Sequence, residues 1–154
     1  MAELNSYYGM GMNDYYYAKG SMKTSSEIGN YNGTASLCAQ SAEKFLKAVI
    51  EVCFVEEGSD EMMHLLRTHN LRPLYNKISS KYQLSIASRD CKWLGDFYFD
   101  ARYPGDNFVV VTEEDAIECL DILEKLKEDT EKILSQEKEK RHRAKAALKG
   151  LKCF

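Results

Sequence analysis

The chain has 154 residues, long enough for one compact core and too short for two ordinary domains. Its hydrophobic share of 44% and charged share of 29% fit a globular protein and exclude a fibrous or disordered one. The formal net charge of −3 divides into a tail, Glu137 to Phe154, with seven cations against two acids, and a body of −8. That balance excludes general polyanion binding by the body as a whole.

The first thirteen residues, with Gly9 and Gly11, read as a flexible lead-in. A first helix is expected over Asp14 to Ile28, and Gly29 to Gly33 forms a turn. The clearest element is a helix from Thr34, as its N-cap, to Val55. In it Ala39, Ala42, Leu46, Val49, Ile50 and Cys53 recur at helical spacing, and Phe45 widens that face. Gln40, Lys44, Lys47 and Glu51 lie on another face, and Glu43 stands four before Lys47, the favourable order for an ion pair.

Gly58 to Asp60 breaks the chain, and a short helical piece is expected over Met62 to Leu66. A helix from Leu71 to Lys81 follows, with Thr68 or His69 near its start and Pro73 in its first turn. The next spans Ser85 to Arg102, with Leu94, Phe97, Tyr98 and Ala101 buried, and Pro104-Gly105 ends it. Phe108 to Val111 reads as an extended segment without a pairing partner. Thr112 to Asp115 is a capped start for the last helix, which Ile117, Leu120, Leu123 and Leu126 continue. Residues 135–154 are a basic tail, helical or frayed. Five helices with short connections make an all-α, up-and-down bundle over residues 14–134.

The five cysteines form no C-x-x-C and no metal-ligand spacing with His64, His69 or His142. Reduced thiols, a cytoplasmic setting, no structural metal and no cofactor are therefore expected. The first basic residue is Lys19 and no apolar stretch follows it, so neither a signal peptide nor a membrane helix is expected.

Four segments carry a family resemblance. Cys38-Ala39-Gln40-Ser41-Ala42-Glu43-Lys44-Phe45-Leu46-Lys47-Ala48 is similar to the central helix of HEPN domains. Thr68-His69-Asn70-Leu71 resembles their Thr-His-Asp-Leu turn, Ala101-Arg102-Tyr103-Pro104 their Ala-Arg-Tyr-Pro helix end, and Thr112 to Ala116 the start of their last helix. The resemblance covers about Asp14 to Leu134. It implies a helical bundle that pairs as a homodimer. It also implies work with nucleotides or RNA beside a minimal nucleotidyltransferase partner, in a toxin–antitoxin-like arrangement. Several HEPN branches are metal-independent ribonucleases that use an Arg followed after four to six residues by a His. This chain departs from that pattern: no Arg stands five to seven positions before any of its histidines, and Arg102 meets Asn107, Phe108 and Val109 at those offsets.

The candidate ligand-binding residues are Lys44, Lys47, His69, Arg102 and Tyr103. Lysines offer point charges to phosphate, arginine a bidentate fork, tyrosine a stacking surface, and histidine a proton carrier or ligand. The alternatives are a solvated lysine face with a Glu43–Lys47 pair, Arg102 at the negative end of its helix, Tyr103 packed in a core or interface, and His69 holding a turn. Three functions stay open. One is a binding module, the second a divergent ribonuclease using Arg102 and His69, and the third a structural dimer. For the dimer, the ten tyrosines, six phenylalanines and Trp93 are more aromatic surface than a five-helix monomer needs to bury.

Overall fold

The computed structural model describes residues 3–54 and 59–152 and contains six helices. They are α1 (Tyr7–Ile28), α2 (Asn32–Cys53), α3 (Ser59–Arg67), α4 (Leu71–Ser79), α5 (Ser88–Asp100) and α6 (Glu113–Leu151). No strand occurs among the described residues, and no described helix is long and apolar enough to cross a membrane. The sixth helix is the short piece expected near Met62, which turns out to be a helix of nine residues.

α2 is the axis. α1, α6, α5, α4 and α3 all pack on it. Small residues make this possible: Ala35, Ser36, Cys38, Ala39, Ser41 and Ala42 leave little beyond the helix cylinder, so neighbours approach closely. Farther along, Phe45, Leu46, Val49 and Ile50 fill the centre with Leu71, Leu74, Ile78, Leu94, Leu123 and Leu126.

α1 starts at Tyr7, seven residues before the expected point, because its two early glycines serve packing. A Cβ on Gly11 would lie 2.9 Å from the Phe45 ring, and the Gly11 carbonyl accepts from Ser41 Oγ at 2.8 Å. Ser6 caps the helix, its Oγ accepting from the Gly9 N–H. At the other end Gly29 adopts φ 66° and closes the helix onto the Ser25 carbonyl, as a left-handed C-cap does. Two tyrosines a heptad apart then tie α1 to α6. Tyr8 donates to Glu131 at 2.9 Å, and Tyr15 donates to Glu124.

Thr34 is not the N-cap of α2. It lies inside the helix, fully buried, and its hydroxyl meets those of Ser25 at 2.9 Å and Ser21 at 2.6 Å. The first turn is served from outside by Asn30, whose Oδ1 accepts from the Asn32 N–H at 2.9 Å. Val55, the expected end of this helix, lies outside the described residues.

Asn32 fixes the 101–111 connection. Its Nδ2 donates to the carbonyls of Ala101 (3.0 Å) and Val109 (2.8 Å), and its Oδ1 accepts from the Val111 N–H (2.9 Å). The extended stretch Phe108 to Val111 thus needs no partner strand: Asn32 takes the Val109 carbonyl and the Val111 N–H, and the Phe108 and Val109 N–H groups donate to the Gly105 and Asp100 carbonyls. Thr112 and Asp115 exchange hydrogen bonds at 3.0 Å as a capping box for α6. From there α6 runs without a break through residue 135, where bundle was expected to give way to tail, as far as Leu151.

Candidate functional site

Three of the family-like segments meet along one flank of α2: the central helix itself, the Thr68 to Leu71 turn and the Ala101 to Pro104 helix end. Glu43 and Lys47 are one turn apart and both almost fully enclosed, at 7% and 4% exposure, with Lys47 Nζ 2.6 Å from Glu43 Oε1. A buried ion pair survives only where further hydrogen bonds satisfy it. Here the additional partner is His69, just before α4, whose Nδ1 lies 3.2 Å from Glu43 Oε2 and 3.3 Å from Oε1. Burial pushes the nearby Tyr7 phenol up from its ordinary range, and the carboxylates of Glu51 and Glu43 add to this. The Tyr7 ring faces Lys47 Nζ at 6.0 Å.

His69 continues outward into an aromatic ladder. Its ring stacks on Tyr98 at 4.8 Å between centroids and 14° between planes. Phe99 meets Tyr98 edge-on at 4.7 Å and Tyr103 at 6.2 Å. The Arg102 guanidinium sits 5.1 Å from the Tyr98 ring centre and 5.3 Å from that of Tyr103. Helical spacing brings these together: Tyr98 and Arg102, like Phe99 and Tyr103, are four apart across the end of α5. Among the described residues no carboxylate pairs with Arg102. Phe99 and Tyr103 are more than half exposed, and Phe108, Val109 and Val110 follow on the same connection, also exposed. Beside the ladder a groove of about 540 Å³ runs between the start of α4 and α5, with His69, Asn70, Arg72, Lys92, Asp96 and Phe99 on its walls.

Of the five residues singled out in the sequence, Lys47, His69, Arg102 and Tyr103 are therefore linked by successive contacts through Glu43 and Tyr98. Lys44 joins a different cluster. It pairs with Asp14 of α1, buried to 8% exposure, and borders a separate groove with Tyr7, Met10 and Glu51. Neither lysine is a free surface charge. The expected Glu43–Lys47 pair is present, but it is enclosed, not solvated. His69 does stand beside a helix start; the cap of α4 itself is Asn70, whose Oδ1 accepts from the Arg72 N–H at 3.1 Å.

Sequence reasoning missed Glu43 as the partner of His69, Asp14 as the partner of Lys44, and the exposed Phe99. The first two pairs are 26 and 30 residues apart, which no local pattern encodes. Phe99 had a signal in its four-residue spacing from Tyr103.

The arrangement can stack flat rings, hold an anion by a guanidinium, and orient an imidazole through a carboxylate. Among the described residues no group of three or more His, Cys, Asp or Glu is placed to hold a metal ion. Cys38, Cys53, Cys91 and Cys119 are free and buried, and burial pushes the Cys38 and Cys91 thiols up to about 12. These thiols are packing groups without the thiolate character that reactivity needs. Cys153 lies outside the described residues.

No curated protein and no solved structure matches this chain. Residues 17–133 match the HEPN domain family model, which takes in α2, α4, α5 and the ladder that joins them. This protein belongs to the HEPN domain family.

Proposed function

We infer that the protein is a nucleotide- or RNA-binding module whose site is the face carrying His69, Arg102 and Tyr103, with Glu43 and Lys47 beneath it. The observation that carries this reading is Arg102. An exposed guanidinium held against two tyrosine rings, with no carboxylate among the described residues to neutralise it, suits an anion linked to a flat ring. Phe99 and Tyr103 offer open aromatic faces beside it, and base stacking on such faces tolerates any base. Binding without cleavage is the preferred form, since the Arg–His spacing of ribonuclease HEPN domains is absent.

The module acts as a homodimer with a minimal nucleotidyltransferase-like partner, in a toxin–antitoxin-like pair in the cytoplasm. The exposed run Phe108, Val109 and Val110 beside Tyr103 supports a contact between protomers next to the site, as aromatic and apolar residues favour interfaces.

The test is binding of a fluorescent single-stranded RNA pentamer to the full chain. Arg102→Ala with Tyr103→Ala should weaken binding at least tenfold, since stacking alone contributes about 1–3 kcal/mol per base. Unchanged binding by the double variant would exclude this face. Sedimentation that shows only monomer at micromolar concentration would exclude the homodimer.

One observation favours a second reading. The Glu43 carboxylate on His69 Nδ1 is the kind of contact that fixes an imidazole tautomer for proton transfer. If the parent degrades RNA and both His69→Ala and Glu43→Gln abolish that activity, the divergent ribonuclease is the correct reading.

A further inference from the structure

The face just described is short of charge for a phosphate chain. Lys44 is paired with Asp14, Lys47 with Glu43 and Lys92 with Asp96, which leaves Arg102 on the ladder and Arg72 on the groove beside it. The charge stands elsewhere. From Lys138 to Leu151 every residue of α6 is exposed, and this stretch continues as one helix past the body. Lys138, Arg141, Lys145, Lys149 and Lys152 follow at steps of three, four, four and three, so they form a single stripe along it. Among the described residues only Arg141 of the stripe has a carboxylate, Glu137 at 3.3 Å, and it also donates to the Val52 carbonyl. Among the described residues the four lysines of the stripe have no acidic partner, and Lys140 and Arg143 add charge on the remaining faces.

We propose that the α6 overhang is a second binding surface, for the phosphate backbone of single-stranded RNA. This rests on the nucleic-acid reading above and sharpens it: the ligand is an oligonucleotide, not a free nucleotide. Three features select this occupant. The stripe extends over about 21 Å at 1.5 Å per residue, the dimension of a chain of phosphates and not of one. Among the described residues its exposed large apolar side chains are Leu148 and Leu151 alone, too few to anchor in a bilayer. And the first half of α6 is acidic, carrying Glu113, Glu114, Asp115, Glu118 and Asp121, which confines a polyanion to the overhang. The overhang and the Arg102 face lie toward opposite ends of α2. Asn32 at its start holds Ala101, and the Val52 carbonyl near its end takes Arg141. Roughly 30 Å of helix separates Asn32 from Val52, with His69 on Glu43 between them, so a strand that runs from Arg102 to the tip of the overhang must be a long one.

The experiment compares the full-length parent with Lys138→Gln/Lys145→Gln/Lys149→Gln/Lys152→Gln, by fluorescence anisotropy at several salt concentrations. The probes are a single-stranded RNA pentamer and a 20-mer. For the 20-mer, the variant should show a log–log salt slope smaller by about 3, at about 0.7 per lost phosphate contact, and an affinity at least tenfold lower in 0.1 M salt. Its binding of the pentamer should stay within twofold of the parent. Replacing the same four lysines with Arg should keep the parent slope, which excludes a folding artefact. A Gln variant that binds the 20-mer with the parent's affinity and slope overturns the proposal. So does a variant that loses only binding to phosphatidylserine vesicles. The outcomes separate the two sites, because Arg102→Ala/Tyr103→Ala should weaken both RNAs, whereas the Gln variant weakens only the longer.

Discussion

Replacing Asn32 with Ala removes three hydrogen bonds in one step. The carbonyls of Ala101 and Val109 lose a donor each, and the Val111 N–H loses its acceptor. Ala101 and Val111 are almost fully buried, so water does not readily substitute there. At about 1 kcal/mol per bond, with further cost for each group left buried and unpaired, the loss should be about 3 kcal/mol. For a chain of this size that lowers the melting temperature by roughly 6–12 °C. The same change frees the connection that bears Arg102 and Tyr103, so amide exchange at Val109 and Val111 should speed up with it. Thermal unfolding and hydrogen exchange read the two effects. Asn30→Ala is the control, since it gives up one bond at the mouth of the turn and should cost about 1 kcal/mol or less. If Asn32→Ala melts with the parent and the Val111 amide keeps its protection, the clamp does not hold this connection.

The enclosed ion pair gives a second prediction: Glu43→Ala should destabilise by about 3–5 kcal/mol because it strands Lys47, while Glu43→Leu with Lys47→Met should lie near the parent in urea unfolding. Two glycines of α1 should behave oppositely in the same assay. Gly11→Ala forces a methyl against Phe45 and should cost about 1–3 kcal/mol, whereas Gly20→Ala meets open space and should gain up to about 1 kcal/mol. Alkali should weaken the fold. Burial and the bond to Glu131 raise the Tyr8 phenol from 10.0 to about 12, and burial raises the Cys38 and Cys91 thiols from 9.0 to about 12. A raised pKa of this kind favours the folded state below the unfolded value and loses that advantage as pH climbs to the folded one. The urea midpoint should therefore fall progressively from pH 9 to 12, and Tyr8→Phe should flatten the part above pH 10.

α2 was legible in the sequence because its small and apolar residues repeat at helical spacing and a buried axis needs both. The Thr112 to Asp115 start of α6 was legible because a capping box is local. The beginning of α1 was not, since Gly9 and Gly11 resemble a loop until Phe45 and Ser41, thirty or more residues away, give Gly11 a packing role. Asn32 hid for the same reason: in a run of Gly and Asn it reads as turn, and its partners stand 69 to 79 residues on. The site was half readable. Lys44 and Lys47 look equivalent in sequence, yet one answers to α1 and the other to its own helix and His69. The contrast between them comes from burial, not from spacing.

The unbroken course of α6 has a kinetic consequence. A helix in isolation is limited by its first turn, but the overhang inherits a first turn from the half of α6 that Leu123, Leu126 and Ile133 hold against the body. Its own residues, rich in Ala, Lys, Arg and Glu, then need only propagation, residue by residue, on the nanosecond scale. The overhang can therefore unwind from its tip and rewind without disturbing a single core contact. Exchange protection along α6 should fall off steadily from Ile133 toward Leu151, grading one continuous rod from anchored root to searching arm.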